Sequence, residues 1–436
     1  MGFATALSGL GAASVDLQVT GNNIANVNTI GFKESRAEFA DVYATSLGGV
    51  SSTQPGSGVR VTEVAQQFNQ GNIEFTQNSL DLAISGNGFF TLAADANASQ
   101  PTTFTRNGAF QLDKDGNIVT DQGDFLMGYR PNGDKLSDGF SQGVFTTLVI
   151  DTSQGLPSAT TEASTVLNLD SREVIPTATP LDPLNSSTYN ATTSVNIFNS
   201  QGNSHIATTY FVKTGANQWD TFLYLDDRGI SPAIAPATAA TVEAIGAVPT
   251  ATPMQYTSAG KLDFYDVAGQ TSKAIGTIDL SLVDPNLNVE ALDFTLDYAD
   301  STQFSSIFSI NDLQQNGLPA GNLTGIDIND TGAVIARFSN GGVKPIGQVA
   351  LARFASNQAL SKIGDTNWQE SAGSGPAIFG TAGSNNFGGI NSAALESSNV
   401  DLSAQLVNLI IAQQAYQANA KTITTEKEIT QTILNV

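Results

Sequence analysis

The stretch NNIANVNTIGFK, residues 22–33, decides how the N-terminal part of the chain folds. It follows a run that reads as helix and carries Asn22, Asn23, Asn26 and Asn28. Asparagine is a poor helix former because its side chain competes for backbone hydrogen bonds. Four asparagines within seven positions therefore predict a helix end at which these side chains have a specific bonding role.

Both ends of the chain read as helix with an apolar residue at every seventh position, the spacing of a coiled-coil seam. The glycines at 9, 11 and 21 each weaken the N-terminal helix by roughly 1 kcal/mol relative to alanine. We expect either helices that become ordered only in an assembly or an intramolecular helical hairpin, and the pattern supports both equally. The predicted interface residues are Phe3, Leu7, Leu10, Leu17, Ile24 and Val27 in the first helix and Leu402, Leu406, Leu409, Tyr416, Ile423, Ile433 and Leu434 in the second, accompanied by Ala6, Ala13, Thr20 and Ala412.

Between the helical ends, short runs of alternating apolar and polar residues separated by turn residues predict β-strands. Clear examples are LDLAIS at 80–85, TSVNIFNSQGNSHIATTYFV at 193–212 and WDTFLYLDD at 219–227. Two tracts rich in proline and alanine, 174–184 and 231–253, predict long surface loops.

The predicted fold class is mainly β with α-helical termini, arranged as nested discontinuous domains in which the terminal helices form a coiled-coil layer. The expected domains are a terminal helical domain at 1–32 with 398–436, connecting segments at 33–70 with 362–397, an inner β domain at 71–150 with 290–361 and an outer β domain at 151–289.

The composition excludes several classes of function. Forty acidic and eighteen basic residues among 436 give a formal charge of −22, which argues against binding nucleic acid or an anionic membrane surface. Cysteine is absent, so a disulfide framework, a thiolate zinc site and a cysteine nucleophile are excluded. The uncharged stretch 402–420 contains six glutamine or asparagine residues, which hydrocarbon would penalise. We expect no membrane insertion.

Two patterns suggest hydrolase chemistry, and neither has the context that it needs. GFSQG at 139–143 matches the nucleophile-elbow pattern around Ser141, but the β-branched run VFTTLVID follows where a helix is required. His205 is the only histidine and would have to serve as the base of any triad. A role at the edge of a hairpin turn is the favoured interpretation for His205.

Acidic residues also fail to define a metal site. DKDGNIVTDQGD at 113–124 resembles a calcium loop but lacks glycine at the sixth position and glutamate at the twelfth. A hairpin turn at Asp115-Gly116, of type I′ or a related type, is expected instead. The adjacent Asp226 and Asp227 are expected in a solvated turn. The sequence therefore predicts no catalytic, cofactor-binding or metal-binding residues.

Several long motifs resemble one known family. SGLGAASVDLQVTGNNIANVNTIGFKES at 8–35 and ALESSNVDLSAQLVNLIIAQQAYQANAKTI at 394–423 look like the N- and C-terminal signatures of the bacterial flagellar rod and hook axial proteins. TQNSLDLAISGNGFF at 76–90, TRNGAFQLDKDGNIVTDQGDFLMGY at 105–129 and GPAIFGTAGSNNFG at 375–388 are similar to the family's inner β domain and its return. The resemblance covers more than half of the chain. Gln414, where relatives often have arginine, and Gly11 and Gly21, which replace larger polar residues, depart from the pattern and put individual helix contacts in doubt.

Within this family, the chain length and the insert at 151–289 are similar to those of the hook members; the distal rod members are shorter and lack a second β domain. The resemblance implies a non-enzymatic subunit without cofactors that polymerises with itself into a bendable helical tube. The implied partners are further copies of the chain, the distal rod protein, the hook–filament junction protein, the hook cap and the type III export apparatus. The implied location is the extracellular part of the flagellum.

The resemblance also suggests a role for the family signature residues, Asn22, Asn23, Asn26, Asn28, Gly31 and Phe32. We expect the asparagines to bond the backbone or neighbouring subunits around the helix end, so that the chain turns outward through Thr29, Ile30 and Gly31. The alternatives are a distal rod protein of the same family and an extracellular β-rich adhesin or polysaccharide-binding protein.

Overall fold

The computed structural model describes residues 2–42, 56–150, 155, 157–233, 238–286 and 288–434, with the side chains of residues 3–432 among them. These residues form two compact units. Unit 1 comprises Met1–Thr152, Gly325–Arg337 and Val343–Val436, and unit 2 comprises Ser153–Thr324 and Phe338–Gly342. Each unit is therefore discontinuous in sequence.

The two long helices lie at the ends of the chain and contact each other in unit 1. Helix α1 spans Gly2–Ala25, and α2 spans Leu402–Leu434. The start of α2 is set by Asp401, whose carboxylate accepts hydrogen bonds from the backbone N–H groups of Ser403 at 2.8 Å and Ala404 at 3.2 Å. A carboxylate in this position satisfies N–H groups that have no partner within the helix.

The described strands between the helices are short, and most pairs are antiparallel. In the first half they are β1 Ser35–Asp41, β2 Val59–Gln66, β3 Ile73–Phe75, β4 Leu82–Ser85, β5 Phe89–Ala93, β6 Thr103–Thr105, β7 Gln111–Leu112, β8 Ile118–Val119, β9 Phe125–Pro131, β10 Phe140–Thr147, β11 Glu162–Asp170, β12 Ala191–Phe198, β13 Ser204–Gly215 and β14 Gln218–Leu225. In the second half they are β15 Arg228–Ser231, β16 Thr241–Val242, β17 Thr252–Tyr256, β18 Leu262–Tyr265, β19 Ser272–Ala274, β20 Thr295–Asp297, β21 Thr302–Phe304, β22 Ser309–Gln315, β23 Leu323–Ile328, β24 Ala333–Phe338, β25 Val343–Arg353, β26 Ser361–Gly364, β27 Asn367–Gln369, β28 Ile378–Thr381, β29 Gly389–Ser392 and β30 Ala394–Glu396. Short 3₁₀ helices occur at Leu136–Asp138, Ser186–Thr188 and Leu280–Leu282.

The main sheet of unit 1 joins segments from both halves of the chain. Its central path runs β24-β25-β9-β5-β6-β27-β26, so that β25, from the second half, pairs with both β9 and β5. An aromatic cluster packs on this sheet, in which Phe89 meets Trp368 at a ring-centroid distance of 5.5 Å and Phe104 meets Phe354 at 4.8 Å. Offset and edge-to-face contacts of this kind add to the hydrophobic burial of the rings. The cluster therefore fixes the return segment against the first half of the unit.

Unit 2 has its own core between two sheets. Strands β12, β13 and β14 form an antiparallel meander in the larger sheet, as the 193–212 and 219–227 motifs predict. The core contains Phe211, Trp219, Tyr256, Tyr265 and Tyr298, all nearly inaccessible to solvent. The mainly β fold with terminal helices is thus confirmed.

The expected boundary at residue 289 is wrong. Residues 290–324 lie in unit 2, because β20 and β21 pair in parallel with β11 and β22 pairs with it antiparallel. Alternation of apolar residues predicts a strand but does not say which partner it joins, since the pairing is long-range. The tract 174–184 is irregular as expected; the described part of 231–253 contains the short strand β16 and the start of β17.

Candidate assembly interface

The two terminal helices pack through small side chains. Ala6, Ala13 and Thr20, seven residues apart, are the buried positions of this row in α1, and Ala412 is buried on α2. Contacts between Gly9 and Asn419 at one end and between Asn23 and Gln405 at the other show that the helices are antiparallel. The predicted seven-residue step is therefore correct, but the row that is buried within the chain is the small one.

Gly9 marks the closest approach of the two helices. A methyl group placed on Gly9 would lie 2.6 Å from the Asn419 side-chain oxygen, well inside van der Waals contact. Gly11 and Gly21 have open space at the same position. Of these three glycines, only Gly9 therefore lies close to the partner helix, and the group that it meets is the end of the flexible Asn419 side chain, which can move to admit a small side chain.

The large apolar residues that were predicted to form the seam are mostly not buried within the chain. Phe3, Leu7, Leu402, Leu406 and Tyr416 are exposed, whereas Leu10, Leu17, Ile24, Val27, Leu409 and Ile423 are half-buried. The side chains of Ile433 and Leu434 lie outside the described residues. Four further apolar residues of α2 are exposed and were not predicted at the interface, namely Val407, Ile410, Ile411 and Ile429. The spacing of Val407, Ile410 and Ile411 at i, i+3 and i+4 is visible in the sequence, but these positions lie off the seven-residue row.

The asparagines of 22–33 divide into bonded and exposed members. Asn23 is buried; its side-chain oxygen accepts from the Ser35 N–H at 2.9 Å, and its amide donates to the Ser35 carbonyl at 2.7 Å and to Gln405 Oε1 at 3.2 Å. Asn26 donates to the Asn22 carbonyl at 2.9 Å. The side chains of Asn22 and Asn28 are exposed. Asn23 therefore joins the end of α1, the start of β1 and the first turn of α2.

Gly31 closes the turn that follows α1. Its φ of +69° lies in the left-handed region, and an added Cβ would lie 2.6 Å from the backbone nitrogen of Asn107. Its N–H donates to the carbonyl of Glu396 at 2.8 Å. Phe32 is half-buried beside it. Only glycine fits this position without strain.

A buried ionic cluster that the sequence analysis missed follows this turn. Lys33 Nζ lies 2.6 Å from Glu396 Oε1, and Arg106 Nη1 lies 3.1 Å from Glu396 Oε2. The side chains of Lys33 and Glu396 are at most 1% exposed. Burial is the main cause that lowers the pKa of Lys33 and that of Arg106, while Glu396 opposes the shift in both. A lysine and a glutamate more than 360 positions apart give no local signal of such contact.

Ser141 and the acidic loop that begins at Asp113 were the other functional candidates, and the structure places them in a strand and in a hairpin loop. Ser141 lies on β10, so GFSQG has no strand–turn–helix geometry. Asp113 accepts from the backbone N–H groups of Asp115 at 2.9 Å and Asn117 at 2.8 Å, and Gly116 has a φ of +84°. The expected hairpin turn joins β7 and β8, and it is of a related type rather than type I′, since Asp115 does not adopt positive φ. The Asn117 amide, as the main cause, lowers the pKa of Asp113.

His205 and Asp226 form a pair that the sequence analysis did not predict. His205 is buried at the start of β13, and its Nδ1 lies 2.6 Å from Asp226 Oδ2. Asp226 also accepts from the Ile206 N–H at 2.8 Å, although it lies in the expected turn. The Asn199 amide lies 3.2 Å from His205 Nε2. The imidazole is therefore held by side chains on both nitrogens, at the edge of a hairpin strand where His205 was expected.

Within the described ranges, no three histidine, cysteine, aspartate or glutamate side chains are grouped so that they could hold a metal ion. Neither helix in the described part of the chain has the length and hydropathy needed to span a membrane.

Comparison with known families gives matches along most of the chain. Residues 3–33 match the model of the flagella basal body rod protein, 83–163 the flagellar hook protein FlgE/F/G D1 domain, 168–318 the flagellar basal body protein FlaE D2 domain and 391–436 the flagellar basal body rod FlgEFG protein C-terminal domain. The D2 match ends beyond 289, near the end of the segment that the structure assigns to unit 2.

Full-length relatives agree with these matches. The chain is 40% identical to the flagellar hook protein FlgE of Escherichia coli K12, with 100% of both chains covered. It is 38% identical to that of Salmonella typhimurium LT2 over 100% of both chains, and 30% identical to that of Borreliella burgdorferi over 99% of this chain and 98% of the relative. The crystal structure of Helicobacter pylori flagellar hook protein FlgE2 covers 74% of this chain and 100% of its own with a TM-score of 0.51 at 14% identity, which shows a shared fold. These comparisons do not favour the distal rod or adhesin alternatives, and the chain belongs to the bacterial flagellar hook protein family.

Proposed function

We propose that this chain is the structural subunit of the flagellar hook and polymerises through its terminal helices into a bendable tube. The observation that carries the proposal is the apolar surface of α2. Leu402, Leu406, Val407, Ile410 and Ile411 are all exposed, although α2 has a partner helix on another face. A helix that exposes apolar residues so densely is suited to bury them against further helices.

The charge of the helices supports packing between copies. Residues 402–420 of α2 carry no charged side chain, although the whole chain has a formal charge of −22. Like charges brought together around a central channel would repel, and the absence of charge removes that cost. The amide side chains of the same stretch remain available for polar contacts.

The β-rich remainder of the molecule suits the outer wall of such a tube. A hook that bends while it turns must shorten and lengthen each row of subunits once per revolution. Polar, hydrated contacts between β units can be exchanged at little cost, because alternative pairings have similar energies. The distal rod protein, the hook–filament junction protein and the hook cap are the proposed neighbours at the two ends, the type III export apparatus is the proposed route, and the extracellular flagellum is the proposed location.

The proposal is tested by replacing part of the α2 surface. The double variant Leu406→Gln and Ile410→Gln makes two exposed positions one helical turn apart polar. Salt screens the repulsion between copies that each carry a charge of −22, so the unaltered chain should form tubes at raised salt concentration. For the double variant we expect normal folding by circular dichroism but loss of these tubes in negative-stain electron microscopy. The matched control, Val174→Gln with Ile175→Gln, alters two exposed apolar residues of unit 2, which belong to neither terminal helix, and should still form tubes. Normal tubes from the α2 variant would contradict the proposal.

A further inference from the structure

The carboxylate of Glu396 is a meeting point of three chain segments within unit 1. Its oxygens bind Lys33, which follows α1, and Arg106, which lies in the first half of the β structure. They also accept the N–H of Gly71 at 2.9 Å. The carbonyl of the same residue accepts from Gly31 at 2.8 Å. One residue, six positions before α2, is therefore bonded to the exit of α1 and to the β structure.

The cluster of Lys33, Arg106 and Glu396 carries a large desolvation cost, because three charged side chains are removed from water. It contains two cations and one anion, all buried, and the excess positive charge is met by the carbonyls of Asn69, 2.8 Å from Lys33 Nζ, and Gly86, 2.8 Å from Arg106 Nη2. Arg106 Nε has no hydrogen-bond partner among the described residues. Buried ion pairs often contribute little net stability, because desolvation offsets their attraction, whereas their directional contacts can select one arrangement of the chain.

The contacts continue from the cluster into α2. Asn399 accepts from the Glu34 N–H at 2.8 Å and donates to the Gln67 carbonyl at 2.7 Å. Gln405, in the first turn of α2, donates to Glu34 Oε1 at 2.8 Å and accepts from the Asn23 amide at 3.2 Å. The position at which α2 begins is thus tied to the end of α1 by directional bonds. The buried positions of the seven-residue row, in contrast, are small residues with little shape to define a register.

We propose that Lys33, Arg106 and Glu396 are positioning residues that set the register of α2 against α1. Small-residue rows allow a helix to slide by one turn with modest loss of packing, whereas the ionic cluster admits one position of the segment that leads into α2. Through that register the cluster also orients the exposed apolar surface of α2. This last consequence rests on the proposed function; the register itself does not.

The register can be measured in the isolated chain, because the protein has no cysteine of its own. The variant Gly9→Cys with Asn419→Cys places two thiols at the closest approach of the helices. Two further pairs, Gly9→Cys with Ala415→Cys and Gly9→Cys with Ile423→Cys, report a shift of one turn in either direction. In the otherwise unchanged protein we expect rapid disulfide formation in the 9–419 pair only.

The cluster is then altered in each of these three backgrounds. Lys33→Met retains the balanced Arg106–Glu396 pair and is the variant expected to stay folded, and Glu396→Gln removes the shared anion. We expect the 9–419 disulfide to form at least about tenfold more slowly as the effective concentration of the two thiols falls, while a one-turn pair gains. Lys273→Met is the control, because it breaks the Lys273–Asp266 ion pair of unit 2 and should leave all three rates unchanged.

Each outcome decides between positioning and stability alone. A Lys33→Met protein that remains folded by the near-ultraviolet circular dichroism of its aromatic core and keeps the native preference for the 9–419 pair would overturn the proposal. A lower melting temperature with unchanged disulfide preference would overturn it as well. Failure of the unaltered protein to form tubes would count against the proposed function and would leave the register result intact, since the thiol measurements need no assembly.

Discussion

Single residues carry much of the connection between the helices and the β structure, and Asn23 is the clearest case. The sequence predicts that asparagines at a helix end bond the backbone, and Asn23 does so in both directions with Ser35. The sequence cannot tell which of four neighbouring asparagines points inward, because that depends on where α2 lies. The bond to Gln405, 382 positions away, is invisible in any local pattern.

Replacing Asn23 should loosen the end of α1. In Asn23→Ala the Ser35 N–H and C=O lose their buried partners, which we expect to cost about 1–3 kcal/mol in the free energy of local opening. Hydrogen exchange of the Ser35 amide measures this cost directly. Asn22→Ala is the matched control, since that side chain is exposed, and should change exchange little. Equal protection of Ser35 in both variants would show that its partner is not Asn23.

The adjacent aspartates 226 and 227 offer a second comparison of neighbouring side chains. Both lie in the left-handed region, with φ of +47° and +66°, so replacement by alanine strains the backbone similarly. Asp226→Ala also leaves His205 Nδ1 and the Ile206 N–H without their acceptor. We expect Asp226→Ala to lower the free energy of unfolding by about 1.5–3 kcal/mol more than Asp227→Ala. Urea unfolding followed by fluorescence measures the difference, and equal values would contradict the role given to Asp226.

At the scale of elements, the paired helices show how much of their packing the seven-residue periodicity predicts. The seven-residue step in both termini correctly predicts two helices with a contact face. Of that predicted face, Ala6 and Ala13 are buried within the chain, whereas Phe3 and Leu7 are exposed, so the place of the large residues in an assembly interface stays a prediction. A helix that packs against more than one partner can contact one of them through its small residues and another through its large residues. The sequence of one chain does not reveal how many partners the helix has.

A larger side chain at a buried alanine of α2 should push the two helices apart. Ala412→Leu adds a branched side chain at a position that is 1% exposed, which we expect to cost about 1–3 kcal/mol. Thermal melting followed by far-ultraviolet circular dichroism should show loss of helix at lower temperature than in the unaltered chain. Ala418→Leu, at an exposed position of the same helix, adds the same volume and should leave the melting curve nearly unchanged. A larger effect at 418 than at 412 would place the contact on the other face.

At the scale of the whole molecule, the fold class and the presence of a second β unit could be predicted from the sequence. The residue at which that second unit ends could not. The strands β12 to β14 follow one another and are joined by short turns, so the local pattern identifies them. Strand β11 instead pairs with β20, β21 and β22, which lie more than a hundred residues later in the chain. Such pairing is decided by the packing of the completed core, which includes Leu167 and Leu296.

The core of unit 2 contains a group of buried tyrosines whose ionisation should lower the stability of the unit at alkaline pH. Burial raises the pKa of Tyr298 to about 12 and raises the pKa of Tyr256 and Tyr265 well above the ordinary value of 10.0. In the unfolded chain each tyrosine ionises near the ordinary value, so above it the unfolded state binds fewer protons than the folded state. The stabilisation by the neutral hydroxyls is fully present below pH 10 and is lost as the pH rises towards the folded values.

We therefore expect unit 2 to unfold cooperatively above pH 10, with the free energy of unfolding falling by about 1.4 kcal/mol per pH unit for each of the three tyrosines. The onset of tyrosinate absorbance for these residues should coincide with loss of the near-ultraviolet circular dichroism. Tyr298→Phe removes one ionisable group and should make the pH dependence shallower by about 1.4 kcal/mol per pH unit. Tyr416→Phe removes a tyrosine from α2 and should leave the steepness unchanged. Complete tyrosine ionisation with the core still folded would mean that the hydroxyls reach solvent without unfolding.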